Sequence, residues 1–312
     1  MFRPSCAVVL FLLLASALFA PSLSAQQPDP TVDDELLDLQ ITRACAALHA
    51  DGSLVACSKL VEQARAVRTF AVPAAVPAPV AVPLPPADLC SRLRQSVRIV
   101  GHYFLCKECD DWHFSGASGF VVGASGVVAT CHHVLAADET MRDAFLVCAD
   151  LQGRVWPVER VLAADAGSDL CVLLTSERGA VPLPLAPRVR QGERIYCLSH
   201  PDHQFGFFSE GLVARHYAQR DPVPEGAKPL LADLVPARRW LHVTCDFAKG
   251  SSGAPIVDAT GAVVGIAQST TTVVYDEDAE LVDTQMVFKT ATPASMLRAL
   301  LPIAPAAAGD GK

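Results

Sequence analysis

Gly250-Ser251-Ser252-Gly253-Ala254-Pro255-Ile256-Val257-Asp258, followed by Gly261-Ala262-Val263-Val264-Gly265-Ile266, reads as a tight turn, a short apolar strand, a second turn and another strand. Glycines on both sides of Ser252 permit a turn that exposes its hydroxyl beside free backbone N–H groups. A Gly/Ser turn of this kind is common as plain structure. Its meaning depends on what stands around it.

Outward from this stretch, short apolar runs are separated by Gly, Pro and Asp. Candidate strands are Val97–Val100, Gly119–Val122, Val127–Thr130, Phe145–Cys148, Val155–Val161 and Cys171–Leu174. A second series follows at Arg194–Ser199, Gly211–Arg215, Trp240–Asp246, Pro255–Asp258, Val263–Ala267 and Met286–Thr290. Two such series of about six strands, with no helices interleaved, predict an antiparallel all-β architecture. Pro293 to Leu301 predicts one closing helix.

Two upstream segments carry chemistry-bearing residues. Ser118-Gly119-Phe120, then Gly126 to Thr130, lead into Cys131-His132-His133-Val134. Histidine titrates near neutrality, so it can take and return a serine proton. Imidazole chemistry alone does not choose between His132 and His133. Ser168-Asp169-Leu170-Cys171-Val172 sets an aspartate at the mouth of an apolar strand, where it can hold one imidazole nitrogen. Asp165 is the alternative acid, further out in the loop.

Together these segments resemble the trypsin-like, chymotrypsin-fold serine proteases, closest to the Deg-type bacterial peptidases. The matches are Gly-x-Ser-Gly-x-Pro at Gly250–Pro255, Thr-x-x-His-Val at Thr130–Val134, and Asp-Leu-x-Val-Leu at Asp169–Leu173. Their order is His, Asp, Ser, with spacings of 36 and 83 residues, which is the chymotrypsin-like order. The resemblance implies an all-β fold of two antiparallel six-stranded β-barrels and a serine endopeptidase with Ser252 as nucleophile, His133 as general base and Asp169 as the orienting acid. The N–H groups of Gly250 and Ser252 would form the oxyanion hole. It further implies that Ala267-Gln268-Ser269 offers a strand edge to a polypeptide substrate. Asp246, six residues before Ser252, would stand where some relatives place the floor of the specificity pocket. Facing that pocket, it would favour Arg or Lys before the scissile bond; otherwise it is bonded within its own loop. Ser199 and His200 depart from the family's Gly-Asn, and Ala254 replaces a second glycine. A PDZ domain is not expected, since ten residues follow Pro302. The reading from a different class is a protease-fold binding or scaffold protein with little turnover.

The rest of the chain bears on compartment and partners. It is 51% hydrophobic and 19% charged with a net charge of −8, enough for a sizeable core and without the basic character of a nucleic-acid binder. Residues 1–25 read as a cleavable export signal: a basic start at Arg3, an apolar run from Ala7 to Ala20, and small residues up to Ala25. The expected location is secreted or periplasmic, with no membrane span left after signal removal. Residues 26–70 read as a helical hairpin about Asp51-Gly52, whose first helix starts at Thr31 to Asp34. A Pro/Ala-rich spacer at 71–88 should separate it from the protease domain at 89–303, and 304–312 should form a loose tail. Cys45 and Cys57 lie equally far from Asp51 and predict a disulfide closing the hairpin. Cys106-Lys107-Glu108-Cys109 followed by His113 reads as a local disulfide or part of a zinc site, with export favouring the disulfide. The proposed chemistry itself needs no cofactor and no metal, and nothing in the sequence sets the oligomeric state.

Overall fold

In the computed structural model, which describes residues 31–66, 76–220, 238–275 and 284–301, the first helix opens on Asp33. Its carboxylate accepts the Leu36 N–H at 3.0 Å, so the cap is an aspartate and not Thr31. The expected export signal and the tail at 304–312 lie outside the described residues.

Helix α1 (Asp34–Ala50) and helix α2 (Cys57–Ala66) form the hairpin. Instead of closing on each other, they bury their apolar faces on a β-sheet. Leu37, Ile41 and Cys45 of α1 pack with Ile99, Tyr103, Phe114 and Val147. Cys57, Leu60 and Ala64 of α2 join the main core, and the Gln63 side chain accepts the Val161 N–H at 2.9 Å. Cys45 and Cys57 are accordingly free thiols in different clusters, and burial pushes both up to about 12. The expected staple is absent because the sheet supplies the core that an isolated hairpin lacks.

A further helix, α3 (Pro86–Leu93), begins inside the stretch expected to be spacer. Pro86 occupies the first helical position, where a missing N–H costs nothing, and Leu89 and Leu93 are fully buried. Proline there starts a helix instead of preventing one.

The remainder is predominantly β. Strands β1 (Val97–Cys106), β2 (Trp112–Gly123), β3 (Val127–Thr130), β4 (Met141–Ala149), β5 (Val155–Asp165) and β6 (Leu170–Thr175) close a barrel in the order β1-β2-β3-β6-β5-β4. Strands β7 (Arg194–Ser199), β8 (Phe207–Gln219), β9 (Arg238–Val243), β10 (Pro255–Val257), β11 (Val263–Val274) and β12 (Thr284–Pro293) follow in the order β10-β11-β12-β9-β8-β7, and β10 pairs with β7 as well as β11. Helix α4 (Ala294–Leu300) ends the described chain. Several strands outrun their apolar stretches: β11 continues to Val274 through the exposed run Ser269–Thr272. β9 instead stops at Val243, where the Thr244 hydroxyl takes the Leu212 N–H at 2.8 Å.

Two buried imidazoles make the fold acid-sensitive. Burial pushes His102 down to about 4 and His200 down to about 3 from an ordinary 6.5. The unfolded chain therefore binds protons that the native chain refuses as pH falls below about 6.5. Their contribution is complete above that pH and is lost on the way down towards pH 4 and 3. Urea midpoints should fall between pH 7 and pH 4.5, by the equivalent of several kcal/mol in order of magnitude. A midpoint that held or rose on acidification would contradict this.

Candidate active site

The site is assembled from three loops. Cys131 leads into a 3₁₀ turn, His132–Leu135, that lifts His133 into the open while Val134 and Leu135 anchor it in the core. Asp169 stands directly before β6 in a left-handed conformation, φ 52°, which aspartate tolerates better than most side chains. Ser252 sits between Gly250 and Gly253, both left-handed at φ 90° and 89°. A Cβ on Gly253 would lie 2.2 Å from the Ser118 carbonyl oxygen, so only glycine fits.

These loops bring three side chains into one hydrogen-bonded line. The carboxylate of Asp169 accepts the His133 backbone N–H at 2.9 Å through Oδ1 and faces Nδ1 at 2.7 Å through Oδ2. On the other side of the ring, Nε2 lies 2.9 Å from Ser252 Oγ. A carboxylate only accepts, so Nδ1 carries the proton and Nε2 presents a lone pair to the serine hydroxyl. The Gln268 carbonyl, 3.3 Å from Ser252 Oγ, is the weaker competitor. Burial by itself would raise the Asp169 carboxyl, but the hydrogen bonds and charge of His133 hold it below the ordinary range. The alternatives sit elsewhere: Asp165 accepts the Gly167 N–H at 2.9 Å within its turn, and the His132 side chain makes no hydrogen bond among the described residues.

Ser118 on β2 fixes the serine loop against the β1–β6 barrel. Its N–H donates to the Ser252 carbonyl at 2.9 Å, and its hydroxyl donates to the Gly250 carbonyl at 2.9 Å. Ser251 is buried and bonds Ser199 through their hydroxyls at 3.1 Å. The loop thus uses the carbonyls of Gly250 and Ser252, while the N–H groups of these residues meet no acceptor among the described residues. Beside His133 and Asp169 lies an open cleft of about 640 Å³, lined also by Tyr217, Trp240, Gln268 and Ser269. The arrangement can carry a serine proton to an imidazole whose far nitrogen rests on a carboxylate.

Residues 117–266 match the family model of the trypsin-like peptidase domain. This chain carries a trypsin-like peptidase domain. Over 155 residues it is 30% identical to the mitochondrial serine protease HTRA2 of Bos taurus, covering 49% of this chain and 31% of that protein. It is 24% identical to the putative protease Do-like 14 of Arabidopsis thaliana over 155 residues, covering 48% and 34%. The matched stretch thus spans about a third of the length of these relatives. Among solved structures, the active form of the Rv3671c protease from M. tuberculosis superposes with a TM-score of 0.51 at 18% identity, over 78% of this chain and 96% of that one. That likeness speaks to the trypsin-like fold.

The residues expected at substrate contacts sit in different settings within this trypsin-like domain. Ala267 is fully buried and its backbone is spent on the serine loop: its N–H goes to Ala254 O and its carbonyl takes the Gly253 N–H, at 2.9 and 2.8 Å. The unpaired edge of β11 starts at Gln268 and continues into the exposed Ser269. Asp246 stands open to solvent beside a cation. Its side chain is 77% exposed and its Oδ1 lies 3.9 Å from Nζ of Lys289. The Lys289 side chain is 16% exposed, and its ammonium also donates to the Phe247 carbonyl. Lys289 was invisible from sequence because nothing local ties a strand lysine to a loop 43 residues upstream. Ser118 is legible in the sequence only as part of its strand, since its hold on the serine loop depends on a contact 132 residues away.

Proposed function

We propose that this chain is an exported serine endopeptidase working through an acyl-enzyme on a two-barrel trypsin-like scaffold. The observation that carries it is the unbroken line from the Asp169 carboxylate through His133 to Ser252 Oγ, at 2.7 and 2.9 Å. Ser252 Oγ attacks the scissile carbonyl as its proton passes to Nε2 of His133. Asp169 keeps the other nitrogen protonated and stabilises the imidazolium. The N–H groups of Gly250 and Ser252 stabilise the oxyanion. The imidazolium then protonates the leaving amine, and water, activated by the same nitrogen, releases the acyl group. The substrate backbone pairs with the free edge at Gln268 and Ser269. None of the described helices is long and apolar enough to cross a membrane; export rests on the reading of residues 1–25.

Digestion of a mixed peptide library tests this, with products identified by mass. The wild type should yield internal cleavages and Ser252→Ala none; equal cleavage by both would overturn the reading. The same profile should lack a preference for Arg or Lys before the cut, because the Lys289 ammonium already occupies the neighbourhood of Asp246 and repels a second cation. Lys289→Ala should raise cleavage after basic residues relative to neutral ones. Strong Arg/Lys selectivity in the wild type would contradict the pairing.

A further inference from the structure

Cys106, Cys109 and His113 cluster at the tip of the β1–β2 hairpin, away from the line of His133, Asp169 and Ser252. The ligand atoms of these three residues lie within 4.8 Å of one another. Cys109 Sγ is 3.0 Å from His113 Nε2. Both cysteines are free thiols, and both Cys109 and His113 are exposed. Counting six residues along β2 from Trp112 to Ser118, at about 3.3 Å each, puts the tip roughly 20 Å from the serine loop. The proposed peptidase reaction makes no use of it.

We propose that these residues form a zinc-binding site. Around tetrahedral zinc, with Zn–S near 2.3 Å and Zn–N near 2.0 Å, ligand atoms stand about 3.5–3.8 Å apart. The observed spread needs small rotamer changes to reach that, whereas a disulfide needs the two sulfurs at about 2.05 Å. The backbone is already turned for a metal. The Cys106 N–H donates to the Asp111 carbonyl at 2.9 Å, closing the turn, and Asp110 takes the left-handed conformation at φ 57° that reverses the chain after Cys109. The Glu108 N–H points at Cys106 Sγ, 3.4 Å away. Such an N–H lays partial positive charge against the negative sulfur of a metal-bound thiolate. His113, on β2, brings the third ligand from the opposite strand. Two thiolates and an imidazole suit zinc better than calcium or magnesium, which take oxygen ligands. Asp110 is drawn away to Arg142, at 2.9 Å, so the fourth position faces solvent and takes water.

Cobalt(II) and zinc(II) titrations of the full chain, purified reduced and metal-free, test the site. One equivalent of cobalt should bind with thiolate-to-metal absorption in the near ultraviolet, and zinc should displace it. Cys109→Ser and His113→Ala should each weaken binding at least tenfold, with unchanged circular dichroism because both positions are exposed. His133→Ala should bind like the wild type, separating this site from the Cys131, His133 and Asp169 group that also lies close together. The proposal is overturned if cobalt uptake survives Cys109→Ser or disappears in His133→Ala. It is equally overturned if chain isolated from the culture medium or periplasm carries a Cys106–Cys109 disulfide and no zinc.

Discussion

Asp169→Asn should lower kcat/KM towards a peptide substrate by about four orders of magnitude while the fold stays intact. The two carboxylate oxygens have separate tasks: Oδ1 accepts the His133 backbone N–H at 2.9 Å, and Oδ2 faces Nδ1 at 2.7 Å. Asparagine keeps only one acceptor. If its oxygen stays on the backbone N–H, its NH₂ faces Nδ1 and the ring must move its proton to Nε2. Nε2 then has no lone pair for the Ser252 hydroxyl. Asparagine is at home in the left-handed conformation of position 169, so the backbone should not shift. Steady-state kinetics and circular dichroism together check this. A loss of less than tenfold with the fold preserved would remove Asp169 from the mechanism.

The largest expected effect on stability lies at a different place. Arg98 donates to both oxygens of Glu177, at 2.9 and 2.6 Å, with side-chain exposures of 4% and 6%. Arg98 also caps the Gln95 and Val97 carbonyls at 3.0 and 2.9 Å. Removing one member strands the other charge in a buried setting, at a cost of about 3–5 kcal/mol. Glu177→Ala should therefore lower the free energy of unfolding by that amount in urea titration. The double change Arg98→Met with Glu177→Leu should recover much of the loss, because an apolar pair needs no desolvated charge. A Glu177→Ala variant within about 0.5 kcal/mol of the wild type would show that water reaches the pair.

What was legible beforehand followed from local order. The strands whose cores are Val, Ile and Leu announced themselves, and Gly250 and Gly253 marked a turn that requires glycine. The neighbourhoods of His133, Asp169 and Ser252 each kept a short motif, so their convergence could be expected even across gaps of 36 and 119 residues. What stayed hidden was tertiary. Pro86 looked like a helix breaker until its position at a helix start was seen. Cys45 and Cys57 look like partners in sequence, but each packs into a different cluster on the sheet. Lys289 and Glu177 are ordinary charged residues in sequence, and only the approach of another segment gives each its role.

The central claim is that His133 activates one particular hydroxyl. Treatment of the full chain with a fluorophosphonate, read by intact mass and peptide mapping, tests it most directly. A single adduct is expected, located on Ser252, absent from Ser252→Ala and greatly slowed in His133→Ala. An adduct on another residue, or equal labelling of the wild type and Ser252→Ala, would contradict it.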